Sequence, residues 1–434
     1  MNRPKLIFSD TNGRIGVHPT LEPLGMKGGG LFRLSPKELI ALPEGSTLFR
    51  LPGRSPVGYD SARRMMAEVK GPGQPTHGAN CSAVAAFLSP GYTITHCSAY
   101  AVSGDPKPLP LFSYGVAAFY KGRFHTAALR IDRSNRHDPR SIDMKLVRSG
   151  IKKVKRLITG NRLVSHLERC ATEYGCPGAQ NFFLGRQEGP LPSSPICNAR
   201  CLGCISYQSE ERCPESQPRI KFVPNPEEIA QIALFHLSRV PNSVVSFGQG
   251  CEGEPLMASG TIEKAIRLIR AKTSRGLINI NTNASAPDAL MRLFDAGLGS
   301  IRVSMNSARE EYYNRYYRPK GYAFTDVMGS IKAAKFRKIF VSINYLTMPG
   351  FTDSKDEFYA FQRFLRSYRP DMVQWRNLNF DPKLYFSEMR ISAEPKEMIG
   401  IDKVIRLLRK AFPRLMMGYY NPDIRRINDH LKAR

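Results

Sequence analysis

A chain of 434 residues allows two or three domains with an ample core, and an apolar share of 42% excludes a disordered polymer. No apolar run reaches the length of a membrane span, and residues 1–10 lack the apolar core of a secretory signal. The expected address is therefore cytoplasmic, where the nine cysteines are expected as metal ligands and buried thiols, not disulfides. The formal charge of +27, from 64 Lys and Arg against 37 Asp and Glu, fits a phosphate-rich partner such as RNA or another anionic surface. It fits equally well a set of solvated basic faces, because the charge is spread along the chain.

Residues 1–75 are rich in Gly and Pro. Ser35 to Ile40 is predicted as a short helix, residues 42–51 as a turn and then a strand, and Asp60 as the cap of a helix reaching Val69. Residues 80–135 read as β structure, with a hairpin from residues 114–120 through Lys121-Gly122 to residues 123–131. Cys81, His96 and Cys97 are isolated and are expected to pack in a core. From Ser141 the pattern turns helical. Met144, Leu146, Val147, Ile151, Val154 and Ile158 form an apolar face, and a second helix covers residues 162–174 before Gly175. Cys170 and Cys176 are six apart, and a second cluster built on them is not the expected outcome.

Behind a Pro-rich approach, Cys197, Cys201 and Cys204 stand close enough for one loop to turn all three thiolates to a common centre. Such a set serves an iron–sulfur cluster, or zinc with Cys213 as fourth ligand. On a four-iron cluster, three thiolates leave one iron open for chemistry. The Cys-x3-Cys-x2-Cys spacing resembles the signature of the radical S-adenosylmethionine (SAM) superfamily. That resemblance implies a [4Fe-4S] cluster held by Cys197, Cys201 and Cys204, with S-adenosylmethionine on the open iron. It also implies a flavodoxin- or ferredoxin-like electron donor, and cleavage of the cofactor to a 5′-deoxyadenosyl radical. Members usually carry a bulky residue before the third cysteine, near the adenine. Gly203 stands there in this chain, with Ile205 or Tyr207 as replacements.

After the triplet, short apolar strands alternate with amphipathic helices, which points to a parallel sheet with crossover helices. Counting a strand at the triplet gives six β-α units, the size of a partial barrel, with chemistry expected at the C-terminal strand ends. The second strand runs into Gly248-Gln249-Gly250-Cys251-Glu252-Gly253-Glu254-Pro255. Gly253, Glu254 and Pro255 match the superfamily's Gly-Gly-Glu-Pro segment, implied to hold the amino group of the cofactor, while Glu252 replaces the first Gly. Asn283, Ser304 and Asn306 at the next two strand ends suit ribose hydroxyls and a carboxylate, as in the superfamily. Residues 309–322 interleave Arg and Lys with tyrosines, read as the entrance to the next helix more than as a substrate grip. Trp375, Arg376, Asn377 and Asn379 at the sixth strand are the substrate candidates, Trp375 being equally suited to a core.

The expected architecture is α/β: an N-terminal α+β region over residues 1–185, a partial (β/α)6 TIM-like barrel over 186–385, and a short helical tail over 386–434. The substrate class stays open among RNA, peptide and small molecule. The opposing reading is a non-catalytic nucleic-acid-binding protein with a structural Fe-S or zinc site. No cysteine follows Cys251, so the resemblance does not extend to relatives with C-terminal auxiliary clusters or an acceptor cysteine. Whether Cys170, Cys176, Cys213 or Cys251 holds a second metal is not legible at this level.

Overall fold

The computed structural model describes residues 3–69, 81–134, 138–208, 213–391 and 398–433. The N-terminal stretch folds into a 13-stranded antiparallel sheet, plus a two-stranded ribbon of Tyr92–Ile94 with Ala128–Arg130. Strand Ser82–Phe87 lies next to the end of its order and pairs with Thr47–Leu51, Lys5–Ser9 and Gly115–Tyr120. Its small residues Ala83, Val84, Ala85 and Ala86 are all buried, so both faces are covered closely.

The helix expected between Asp60 and Val69 is not there. Strand Arg54–Asp60 instead folds back on Met65–Glu68, with Asp60 opposite Met65. The Asp60 carboxylate accepts the N–H groups of Ala62 (2.9 Å) and Arg63 (3.1 Å). The same side-chain chemistry that caps helices closes a turn here. At residue 35 only a single 3-10 turn, Pro36–Glu38, forms.

Helices α1 (Met144–Leu157), α2 (Arg162–Thr172) and α3 (Pro177–Phe183) follow. Val147, Ile151 and Val154 bury the inner face of α1, whereas Leu146 stays exposed. Asn161 caps α2 by accepting from Leu163 N (2.9 Å) and Val164 N (3.3 Å). Its Nδ2 donates to the Glu228 carbonyl at 2.9 Å, which ties α2 to α4 (Pro226–Arg239).

The second sheet is parallel throughout and consecutive in order: Glu188–Pro190, Val244–Phe247, Leu277–Thr282, Ser300–Met305, Phe340–Thr347, Met372–Asn377 and Met416–Gly418. It forms the half-barrel expected of the alternating pattern. The third strand is buried at every position because helices cover one face and the barrel interior the other. The crossovers are α4, α5 (Ser259–Lys272), α6 (Pro287–Ala296), the pair α7 (Glu310–Tyr317) and α8 (Phe324–Phe336), and α9 (Lys355–Tyr368). Gly297 ends α6 at φ 114°, a conformation that favours Gly.

The C-terminal stretch adds α10 (Pro382–Met389), α11 (Ile401–Ala411) and α12 (Ile424–Lys432). It also supplies the seventh strand, whose three residues are too few to show periodicity in the sequence. Among the described residues no helix is long and apolar enough to cross a membrane.

The N-terminal sheet and its ribbon dock on the C-terminal ends of the fifth and sixth barrel strands. Gly28 N–H donates to the Pro349 carbonyl (3.3 Å), and Thr93 Oγ1 donates to the Trp375 carbonyl (3.0 Å). Arg54 and Asp381 form a buried ion pair across the junction at 3.1 Å. A single apolar cluster runs through both parts, from Leu24 and Val84 to Ile301 and Trp375.

Candidate active site

The cysteine loop leaves the first barrel strand and is pinned on two sides. On one side, the buried Glu252 carboxylate accepts from Ser193 N (2.7 Å), Ser193 Oγ (2.9 Å), Ser194 N (3.1 Å) and Gln249 N (2.6 Å). Gly253 N–H donates to the Ser194 carbonyl (2.7 Å) and Glu254 N–H to the Ile196 carbonyl (2.8 Å). On the other side, Arg200 N–H donates to the Tyr317 carbonyl (2.9 Å), Leu202 N–H to Tyr316 (3.0 Å), and Lys320 N–H to Asn198 (2.8 Å). A Cβ on residue 253 would sit 2.1 Å from the Ile196 carbonyl oxygen, so only Gly permits this approach. Glu252, where the superfamily segment has Gly, has the separate task of holding the loop's entry.

No disulfide joins the cysteines among the described residues, and those of the triplet are half-buried. Burial, and then the neighbouring Glu254, push the Cys197 thiol up to about 11. Burial, then charges on Cys204 and Cys197, drive Cys201 well above the ordinary thiol range. A charge on Cys204 therefore opposes ionisation of both Cys197 and Cys201. Arg219 answers this partly. Its Nη2 donates to Cys204 Sγ at 3.4 Å, and its charge favours the thiolates of Cys197 and Cys201. A cationic cluster that takes all three as thiolates fits this donor set.

Glu254 closes the site from the second strand end. Its carboxylate is buried and accepts from Asn283 N (2.8 Å), Leu256 N (3.1 Å) and the Thr282 hydroxyl. Burial still outweighs these bonds and raises it to about 7. Pro255 opens the 3-10 turn Pro255–Ala258 that Glu254 caps. Asn283 reaches back to the cysteine loop, donating to Asn198 Oδ1 at 2.7 Å, and Asn198 donates to Ser285 Oγ at 2.9 Å. The structure therefore gathers Cys197, Cys201, Cys204, Gly253, Glu254, Pro255 and Asn283.

The remaining residues are placed differently. Ser304 is half-buried in the fourth strand, opposite Asn344. Asn306 is fully buried and donates to the Tyr312 carbonyl (3.2 Å), while its Oδ1 has no hydrogen-bond partner among the described residues. Trp375 does not face the barrel interior. Its ring meets Tyr345 and Phe361 edge-on, with centroids 5.7 and 6.1 Å away, in the layer between sheet and α9. Arg376 donates to the Tyr419 carbonyl (2.8 Å) and stacks on that ring at 4.1 Å. Asn377 is occupied by the N-terminal ribbon, accepting from Ile94 N (2.9 Å) and donating to the Tyr92 carbonyl (3.0 Å). The Asn379 carbonyl lies behind Gly203, where the Tyr316 hydroxyl would meet any added Cβ at 2.9 Å. That contact leaves no room at residue 203 for the bulky side chain of the superfamily pattern. Tyr313, Tyr316 and Tyr317 are buried, so the Arg/Tyr segment is the inner face of α7 and not an open grip.

Sequence reasoning missed Arg219, a lone basic residue in no pattern. It also missed the approach of Cys251 to His166 and Cys170, which lie on elements distant in the chain.

This loop, strand and carboxylate arrangement defines a radical SAM domain, and residues 191–361 match the family model for the Radical SAM superfamily. That segment, about two fifths of the chain, is a radical SAM domain, with the reaction subclass unspecified. Among curated proteins it is similar to the FeMo cofactor biosynthesis protein NifB of Klebsiella pneumoniae, 23% identical over 178 residues. That match covers 38% of this chain and 38% of the relative, so the chain spans about two fifths of the length of the curated relative it matches. Among solved structures it is similar to the FeFe-hydrogenase maturase HydG from Carboxydothermus hydrogenoformans (16% identity, TM-score 0.36, covering 67% of this chain and 73% of that one). It is also similar to methylornithine synthase PylB (15% identity, TM-score 0.38, covering 65% of this chain and 76% of that one).

Proposed function

We propose that this protein reductively cleaves S-adenosylmethionine at a [4Fe-4S] cluster and abstracts hydrogen from a substrate held in the half-barrel. The observation that carries this reading is the convergence of the three cysteines with Glu254 and Asn283 at adjoining strand ends. When bound, the cluster and its cofactor supply a 5′-deoxyadenosyl radical. The chain's own residues do the rest. Cys197, Cys201 and Cys204 hold the cluster. Arg219 offsets its negative charge at Cys204. Gly253, Glu254 and Pro255 form the turn that receives an ammonium group, and Asn283, Ser304 and Asn306 serve hydroxyls and a carboxylate. Arg376 and Asn379 stay on the substrate side, with Trp375 and Asn377 supporting them from behind.

The division at residues 185 and 385 is proposed as the functional one, the first region covering the barrel mouth. The partners that follow are a flavodoxin- or ferredoxin-like donor and an anionic substrate, with RNA favoured by the +27 charge. The setting is cytoplasmic. The test is anaerobic: iron- and sulfide-loaded protein, reduced in the presence of S-adenosylmethionine, is expected to release 5′-deoxyadenosine. Fully loaded protein that leaves the cofactor intact overturns the proposal. For the RNA part, retention on RNA that weakens as salt rises is the expected outcome, and no retention at low salt removes it.

A pH-dependent result follows from Glu254. Raised to about 7 in the free chain, it is largely protonated at pH 6. An ammonium group bonded to it favours the ionised form, so binding expels the proton. Calorimetry at pH 6 in buffers of different ionisation enthalpy is expected to show a release approaching about one proton per cofactor bound. The release fades by pH 9, where the carboxylate is already ionised, and it is absent in Glu254→Gln. Equal release from Glu254→Gln would remove the ammonium contact from this residue.

A further inference from the structure

His166 and Cys170 stand one helical turn apart on α2 and so point the same way. Cys251 comes from the other half of the molecule, on the turn that leads from the second barrel strand to Glu254. Its carbonyl is held by Ile220 N–H at 2.8 Å. The donor atoms of these three residues lie within 4.8 Å of one another, and His166 Nε2 is 3.5 Å from Cys170 Sγ. Zinc bonds of about 2.3 Å to sulfur and about 2.0–2.1 Å to nitrogen, at a tetrahedral angle, put two such ligands about 3.6 Å apart. The His166–Cys170 separation, spanned by a hydrogen bond in the free chain, matches one edge of a mononuclear tetrahedral site. A multi-iron cluster sets its thiolates on separate irons and needs them wider apart.

Cys176, the residue just before α3, is tied to the end of α2 by its N–H, which donates to the Cys170 carbonyl at 2.9 Å. A cleft of about 340 Å³ opens onto His166 and Cys170 and gives an ion a route in. Arg162, Arg169, Arg219 and Lys221 line the same cleft. The donor set holds no carboxylate or carbonyl oxygen, which selects against magnesium and calcium and for zinc.

We infer that His166, Cys170 and Cys251 bind a single zinc-class ion distinct from the cysteine triplet, with water in the fourth position. This ion staples α2 to the turn that carries Gly253 and Glu254, so it sets the position of that turn from outside the barrel. Arg219 stands between the two centres, lining the zinc cleft while donating to Cys204 Sγ.

Elemental analysis of the full-length chain, purified from zinc-supplemented cultures, tests this. About one zinc per chain is expected in the unaltered protein and in the triple variant Cys197→Ser/Cys201→Ser/Cys204→Ser, which removes the proposed cluster. Cys170→Ser and Cys251→Ser are expected to lose at least about tenfold in zinc occupancy. Zinc below about a tenth per chain in the unaltered protein overturns the inference, as does unchanged zinc in Cys170→Ser. So does iron, in place of zinc, remaining in the triple variant. Should the single variants not fold, cobalt exchanged into the unaltered chain decides: thiolate-to-cobalt charge transfer with tetrahedral ligand-field bands supports the site, and their absence overturns it. The outcome is independent of cofactor cleavage, because zinc is counted directly.

Discussion

Cys201→Ser is expected to strip the chain of cluster iron and to lower 5′-deoxyadenosine release by roughly a hundredfold or more. Burial, and then charges on Cys204 and Cys197, drive the Cys201 thiol well above its ordinary range. Serine cannot replace it, since a hydroxyl in that place neither ionises nor offers the soft donor that iron takes up. The neighbouring backbone is unaffected by the change. Arg200 N–H and Leu202 N–H donate to Tyr317 and Tyr316 from either side of Cys201, so the loop keeps its course while losing a ligand. Cys213→Ser is the matched control. It belongs to the zinc alternative and not to the triplet, so its iron content and cofactor cleavage are expected to stay near those of the unaltered protein. Iron and sulfide determination with product chromatography reads both variants. Full iron in Cys201→Ser, or its loss in Cys213→Ser, would sink the assignment of ligands.

Asp381→Ala is expected to cost about 3–5 kcal/mol of stability, read as a large fall in the urea midpoint. The carboxylate is almost fully buried, as is its partner Arg54, with side chains 4% and 6% exposed. Oδ2 accepts from Arg54 Nη2 and Leu109 N, each at 3.1 Å. Oδ1 caps α10 by accepting from Lys383 N (3.0 Å) and Leu384 N (3.3 Å). Its removal leaves a guanidinium and three N–H groups without their acceptor. The lost cap alone is worth about 1 kcal/mol, and the stranded buried charge dominates. In Arg54→Met/Asp381→Leu both charges leave together, and the loss is expected to be smaller than for Asp381→Ala. A fall below about 1 kcal/mol in Asp381→Ala would mean that this pair does not hold the N-terminal sheet to the barrel.

Much of the barrel is legible in the chain because its signals are local. Each buried strand is a short apolar run, each covering helix an amphipathic repeat, and a parallel sheet joins them in order. The triplet is legible for the same reason, since eight consecutive positions carry all its information. Glu254 and Asn283 could be found by counting strand ends. Trp375 shows the limit of that count: strand alternation sends every second side chain toward the helices, and only the packed structure fixes that it lies against Tyr345 and Phe361.

Neighbouring residues carry the alternating strand-helix order and the loop that offers three sulfurs. Packing supplied what is non-local. It set the antiparallel order of the N-terminal sheet, the seventh strand, the arginine at Cys204 and the meeting of His166 and Cys170 with Cys251. Contacts between distant segments are fixed by the packing of whole layers, and no stretch of sequence read alone contains them.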